Sequence, residues 1–162
     1  MTTEFAALLL LAWGLICAMQ DIRSKKISNI LTLGMFFIAL IYLLISGNTL
    51  IQSNSNQAIF GFILALGLSL PGYISGKMGA ADVKMLAAIA IASNSDYVLI
   101  SVIGAALSLL IWSICKPLWL QLPQRVHKAL PLMDPTTGQP LPYAPFLLVG
   151  MLLATLLQST II

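Results

Sequence analysis

The chain has 162 residues, of which 59% are hydrophobic and only 8% are charged. Soluble domains carry about 25% charged residues, so this composition excludes an ordinary soluble globular domain. The formal net charge of +3 is explained by Lys and Arg residues that flank membrane segments and touch anionic headgroups, and it requires no nucleic-acid partner.

Long apolar segments follow one another along the whole chain. In order, they cover roughly residues 5–20, 30–46, 58–74, 83–93, 97–115 and 144–161. A helix needs ~20 residues to cross a ~30 Å hydrocarbon core, and all but the fourth segment approach that length. The fourth would cross only with help from its flanks, by tilting, or beside a thinned region. The first lacks a preceding Lys or Arg and a cleavage site, which predicts a retained helix rather than a secretory signal.

We therefore predict an all-α fold, a polytopic membrane helix bundle of about six transmembrane helices, in a single domain that spans residues 1–162. The basic residues fall at or beside the first, third and fifth connections. They are Arg23, Lys25, Lys26, Lys77, Lys84, Lys116, Arg125 and Lys128. The positive-inside rule makes these connections cytoplasmic, so both termini are expected on the non-cytoplasmic side of the cytoplasmic (inner) membrane.

Several kinds of site are disfavoured by the sequence. Cys17 and Cys115 both lie inside apolar segments without a C-x-x-C pair, and His127 is the only histidine, which predicts no zinc site. P-loop and G-x-S-x-G motifs are absent. We expect neither a metal nor a cofactor.

The connection over roughly 116–143 contains six prolines and so cannot be one long helix, although 119–130 could lie in the membrane interface as a short amphipathic helix.

Only five acidic residues are present, and two of them stand out. Glu4 and Asp96 belong to the predicted outer face, and Asp134 lies in a turn-like stretch, so solvated or turn-forming roles suit these three. Asp21 ends the first apolar segment in DIRSKKISN, and Asp82 opens the short segment in GAADVKML. The predicted topology places both at cytoplasmic helix ends, where a bundle could bring them together.

Each of the two acids also has an ordinary explanation. Asp82 could be a helix N-terminal charge, and Asp21 could be an interfacial partner for Arg23 or Lys25. As a pair, however, two close carboxyl groups cannot both ionise easily, so one of them retains a proton. The ionised group can then take a proton from water while the protonated one donates to a substrate carbonyl oxygen. The pair thus predicts hydrolysis without a metal or cofactor.

The two stretches that carry these acids resemble the two signatures of the type IV prepilin peptidases, which are membrane aspartyl proteases of the GxGD type. The first signature is matched by Asp21, Arg23, Ile27 and Asn29, and the second by Gly79, Asp82, Val83 and Lys84. PYAPFLL at 142–148 also looks like the C-terminal segment of that family. The resemblance implies that Asp21 and Asp82 are the catalytic residues.

The chain departs from the family pattern at two points. Ala81 stands where the family usually has a second Gly. If that position requires φ > 0, Ala destabilises the protein by on the order of 1 kcal/mol or more, whereas at a helical position Ala has no such cost. Larger members carry a cytoplasmic region with paired Cys-x-x-Cys motifs and also methylate the new N-terminus. This chain resembles the compact, peptidase-only form associated with Flp-type tight-adherence pili, so neither a zinc-binding region nor methyltransferase activity is expected.

The function that the resemblance implies is an endopeptidase that removes the basic leader from Flp-like prepilin precursors at the cytoplasmic membrane face. Lys84 would face roughly 200° away from Asp82 on a helix, which favours a structural or headgroup role. Gly76 and Gly79 would let the connection bend, and Asn29 could bond the end of the first helix or contact substrate. Two alternatives are a small proton-coupled transporter and a non-catalytic pilus-assembly protein.

Overall fold

A computed structural model describes residues 3–119 and 141–161, and all regular structure within them is helical. The helices are α1 (Thr3–Ser24), α2 (Asn29–Ser46), α3 (Ser55–Ile74), α4 (Ala80–Ala92), α5 (Ser95–Trp119) and α6 (Ala144–Ile161). The predicted all-α fold is confirmed. The predicted interfacial segment at 119–130, which contains His127, lies outside the described residues apart from Trp119. Asp134 also lies outside them.

Four helices in the described part of the chain are long and apolar enough to cross a membrane, namely α1, α2, α3 and the Ser95–Cys115 portion of α5. In α6, the apolar part Ala144–Ser159 is shorter. With 13 residues, α4 is only ~20 Å long. The structure therefore supports a membrane protein, and the count of six spans stays a prediction.

The short helix α4 lies in the middle of the bundle, packed against α2, α3 and α5. All of its residues from Met85 to Ala92 are buried. A helix that is apolar on every side is buried either in lipid or among other helices, and α4 is covered by other helices. Burial of α4 therefore fixes the position of its first turn, which carries Asp82.

The most extensive helix–helix contact is between α5 and α6, and two glycines allow the two helices to approach closely. A Cβ placed on Gly104 would lie 2.7 Å from the Cα of Gly150, and one placed on Gly150 would clash with the Ser101 carbonyl oxygen. Helix α6 also packs against α1. As a result, the N-terminus of α6 lies beside the last turn of α1.

The two ends of the bundle differ in chemistry. We call the end with the α1–α2 and α3–α4 connections the basic end, because it carries Lys25, Lys26 and Lys77. At the opposite, far end, Asn94 Nδ2 donates to Ser53 Oγ at 3.0 Å, and Asn94 Oδ1 accepts from Gln158 Nε2 at 3.1 Å. One amide side chain thus ties the α2–α3 connection, the α4–α5 connection and the end of α6 together.

The α1–α2 and α3–α4 connections are short and contain the left-handed backbone geometry that such tight turns need. Lys25, directly after α1, has φ 50°, and Gly76, after α3, has φ 70°. The α1–α2 connection is further held by the Ser28 N–H, which donates to Gln20 Oε1 at 3.0 Å. These turns bring the ends of α1, α2 and α4 close together.

Candidate active site

Asp21 lies in the last turn of α1 and is buried, with 6% of its surface exposed. Its Oδ2 accepts a hydrogen bond from the backbone N–H of Ala144, the first residue of α6, at 3.0 Å. The first N–H groups of a helix have no partner inside the helix, and they favour a negative charge. Asp21 therefore receives a carboxylate-stabilising contact from a helix that is more than a hundred residues away in sequence.

Asp82 occupies the first turn of α4 and is 8% exposed. Its Oδ2 accepts the N–H of Gly79 at 3.1 Å, and Gly79, the N-cap, has an extended backbone with φ −78°. This is the helix N-terminal contact that the sequence offered as the ordinary explanation of Asp82. The contact orients the side chain, and among the described residues no hydrogen bond to the second carboxyl oxygen is found.

The two carboxyl groups act on each other across the basic end. Burial raises the pKa of Asp82 to about 6, the Gly79 N–H opposes that change, and the negative charge of Asp21 adds to it. The repulsion between two buried carboxylates favours a state in which one of them keeps its proton. The structure thus brings together the two acids that the sequence singled out.

Tyr143 is a residue of this region that sequence reasoning did not assign to the site. It immediately precedes α6, and its side chain is half-buried. Burial raises the pKa of its phenol to about 12, and the nearby charge of Asp82 acts in the same direction. The PYAPFLL stretch drew attention to this segment, but nothing in that pattern indicated which side chain faces an acid.

Lys84 and Asn29 form a contact that joins the two motif stretches. Lys84 Nζ donates to Asn29 Oδ1 at 2.8 Å, across 55 residues of sequence. The predicted structural role for Lys84 has a specific partner here. Asn29, the first residue of α2, bonds to α4. This contact differs from both roles suggested for Asn29, which were a bond to the end of the first helix and a contact with substrate.

The remaining motif residues have simpler positions. Ile27 is 7% exposed and belongs to the core, whereas Arg23 is exposed in the last turn of α1. Ala81 is the second residue of α4 and is not among the residues with positive φ. A helical position accepts Ala at no cost, so the departure from the usual Gly introduces no backbone strain.

A cavity at the basic end is lined in part by chain neighbours of the residues that bind the acids. It has a volume of about 330 Å³ and is lined by Lys77, Met78, Leu109, Leu141 and Tyr143. Met78 directly precedes Gly79, the residue that holds Asp82. Anywhere within residues 3–119 and 141–161, no three His, Cys, Asp or Glu side chains are grouped as metal ligands would be.

A helical membrane bundle with two buried, interacting carboxyl groups at one end defines a class of protein with a paired-acid site. The chain belongs to the type IV leader peptidase family, whose sequence profile matches residues 8–114. That range includes both Asp21 and Asp82 and ends before PYAPFLL. No curated protein sequence matches the chain significantly, and no solved structure does. At the level of the family, the protein is a peptidase, a hydrolase that acts on a protein substrate.

Proposed function

We propose that the protein is an aspartic endopeptidase that cleaves the basic leader from prepilin-like, Flp-type membrane precursors at the cytoplasmic face of the cell membrane. The observation that carries this proposal is the pairing of Asp21 and Asp82, two buried carboxyl groups from α1 and α4 whose charges interact. Membership of the leader peptidase family supports the choice of substrate class.

The proposed reaction uses the single proton of the pair. The ionised carboxyl takes a proton from a water molecule, whose oxygen attacks the scissile carbonyl carbon, while the protonated carboxyl donates its proton to the carbonyl oxygen. The resulting diol collapses when the first carboxyl gives its new proton to the leaving nitrogen, the C–N bond breaks, and a diol hydroxyl returns a proton to the second carboxylate. Which acid holds the proton at the start is a property of the coupled pair, so neither is assigned that role alone.

The position of the acids favours a peptidase over a proton-coupled transporter. Asp21 is in the last turn of α1 and Asp82 in the first turn of α4, so both are at helix ends. A transporter that relays protons would place such groups in the bundle interior near the middle of the membrane. Helix ends are where a leader that emerges from the bilayer and the water needed for hydrolysis can meet.

The experiment that tests this function replaces each acid with its amide. Asp21→Asn and Asp82→Asn keep the side-chain shape and remove the titratable group. Each is expected to lower cleavage of a co-expressed small hydrophobic precursor by roughly 10²–10⁴-fold, the range that general acid–base catalysis contributes. Cleavage is followed by gel mobility and by mass spectrometry of the new terminus, with membrane fractionation to verify insertion.

Asp96→Asn is the matched control. Asp96 is an exposed acid in the first turn of α5 at the far end, so its amide variant makes the same chemical change away from the site and should cleave at the unmodified rate. Full cleavage by either Asp21→Asn or Asp82→Asn would contradict the paired-acid mechanism.

A further inference from the structure

We propose that Tyr143 is a third catalytic group, whose phenol O–H donates a hydrogen bond to the scissile carbonyl oxygen of the substrate as the diol forms. The proposal rests on the peptidase function above. Tyr143 transfers no proton and forms no covalent bond: the carbonyl oxygen receives its proton from the acid pair, and the phenol supplies a second donor to the same oxygen.

The backbone places Tyr143 next to the first acid. The N–H of Ala144 donates to Asp21 Oδ2 at 3.0 Å, and consecutive Cα atoms are only ~3.8 Å apart. The position of residue 143 is therefore fixed relative to Asp21 by one peptide unit. Helix α6, packed against both α1 and α5, holds that peptide unit in place.

The phenol of Tyr143 is close enough to the second acid to feel its charge. Residue 143 therefore adjoins Asp21 through the backbone of Ala144, and its phenol lies within the electrostatic range of Asp82. A substrate carbonyl positioned between the two acids would consequently lie beside the Tyr143 ring.

The ring also faces open space. Tyr143 lines the cavity together with Lys77, Met78, Leu109 and Leu141. Met78 precedes Gly79, whose N–H donates to Asp82. Tyr143 precedes Ala144, whose N–H donates to Asp21. Two of the five lining residues are therefore chain neighbours of the groups that bind the acids, so a ligand in the cavity would lie near both acids.

The phenol has the protonation state that a donor requires. With a pKa raised to about 12, it stays neutral throughout the neutral range and keeps its O–H. Within residues 3–119 and 141–161, no group hydrogen-bonds this hydroxyl, whereas the Tyr97 hydroxyl contacts the Met151 carbonyl oxygen at 3.2 Å and Thr155 Oγ1 at 3.1 Å. Among these residues the Tyr143 hydroxyl has no partner that a ligand in the cavity would displace.

Tyr143→Phe tests the proposal because it removes only the hydroxyl. We expect kcat to fall about 10²-fold, as for the loss of one donor to a developing oxyanion, with KM and the thermal midpoint unchanged. Tyr97→Phe is the matched control: it removes a buried hydroxyl with structural partners at the far end of α6, so it should lower the thermal midpoint and leave kcat unchanged.

Each result of this experiment is decisive. A Tyr143→Phe enzyme with full kcat, with only a raised KM, or with a loss of activity that parallels a lower thermal midpoint would overturn the role of Tyr143. The proposed function would still hold in those cases if the unmodified protein cleaves the precursor and Asp82→Asn does not. Failure of the unmodified protein to cleave any precursor would remove both.

Discussion

At the scale of single residues, each acid of the pair also stabilises a helix end. Asp21 accepts from the N-terminus of α6, and Asp82 accepts from the N-cap of its own helix. These contacts orient the carboxyl groups before any substrate arrives, which is the preorganisation that acid–base catalysis needs. For Asp82, the ordinary explanation as a helix N-terminal charge is therefore compatible with the catalytic one.

The raised pKa of Asp82 predicts a pH profile. The pair must hold one proton to be active, and burial together with the charge of Asp21 moves the pKa of Asp82 from 3.8 to about 6. The proton is thus retained up to about pH 6 and lost above it, so kcat/KM should fall roughly tenfold per pH unit on the alkaline side. A profile measured in detergent micelles that is flat from about pH 5 to about pH 8 would contradict this.

The bond between Lys84 and Asn29 predicts energetic coupling between the two motif stretches. Because Lys84 Nζ and Asn29 Oδ1 are 2.8 Å apart, Lys84→Met and Asn29→Ala should each lower kcat/KM about fivefold, and the double variant should be little worse than either. Strictly additive losses would show that the two side chains act separately.

A comparable bond at the far end serves as the control for that cycle. Ser95 Oγ donates to Gln57 Oε1 at 2.7 Å, also as an exposed contact between side chains. Ser95→Ala breaks a hydrogen bond between helix ends without touching the basic end, and it should leave kcat/KM unchanged.

At the scale of the helices, hydropathy predicted where the apolar segments lie but not where the helices begin. The segment predicted at 58–74 corresponds to α3, Ser55–Ile74, because Ser55, Asn56 and Gln57 continue the helix into a polar region that hydropathy does not register. In the same way α1 extends to Ser24, past Asp21. Apolar length reports the buried or lipid-facing part of a helix, whereas hydrogen bonds and caps set its ends.

The contacts that build the site could not be predicted, because they join residues far apart in sequence. The two Asp residues stood out since carboxylates are rare in so apolar a chain. Nothing local to Tyr143 or Ala144 indicates that their neighbours in space are Asp82 and Asp21. Likewise, the pairing of Asn29 with Lys84 depends on how α2 packs on α4.

The close approach of α5 and α6 predicts that Gly150 is essential for both stability and the site. Any Cβ at Gly150 would clash with the Ser101 carbonyl oxygen, so Gly150→Val must push α6 away, at a cost of about 1–3 kcal/mol. Since the N-terminus of α6 holds Asp21, activity should fall together with the thermal midpoint.

Gly67 provides the matched control for that substitution. It is an exposed helical glycine on α3, and a Cβ there meets nothing within 4 Å. Gly67→Val should therefore leave activity unchanged and alter stability little. A Gly150→Val protein that is as stable and as active as the unmodified one would show that α5 and α6 do not pack as described.

At the scale of the whole molecule, charge and chemistry are distributed unevenly between the two ends. Lys25, Lys26 and Lys77 lie in connections at the basic end, beside the acid pair, while the far-end connections at 47–54 and 93–94 contain no Lys or Arg. The positive-inside rule predicts that the basic end is cytoplasmic. The acids would then meet a precursor on the side of the membrane where it is synthesised.

Labelling of single cysteines tests this orientation. In a background in which Cys17 and Cys115 are replaced, Ser75→Cys introduces a thiol at the basic end and Asp96→Cys one at the far end, both at exposed positions. Because a membrane-impermeant maleimide reaches only one side, it should label Asp96→Cys in intact spheroplasts and Ser75→Cys only in inverted vesicles. The reverse pattern would put the acid pair outside the cell, away from any leader still in the cytoplasm, and would contradict the proposed site of cleavage.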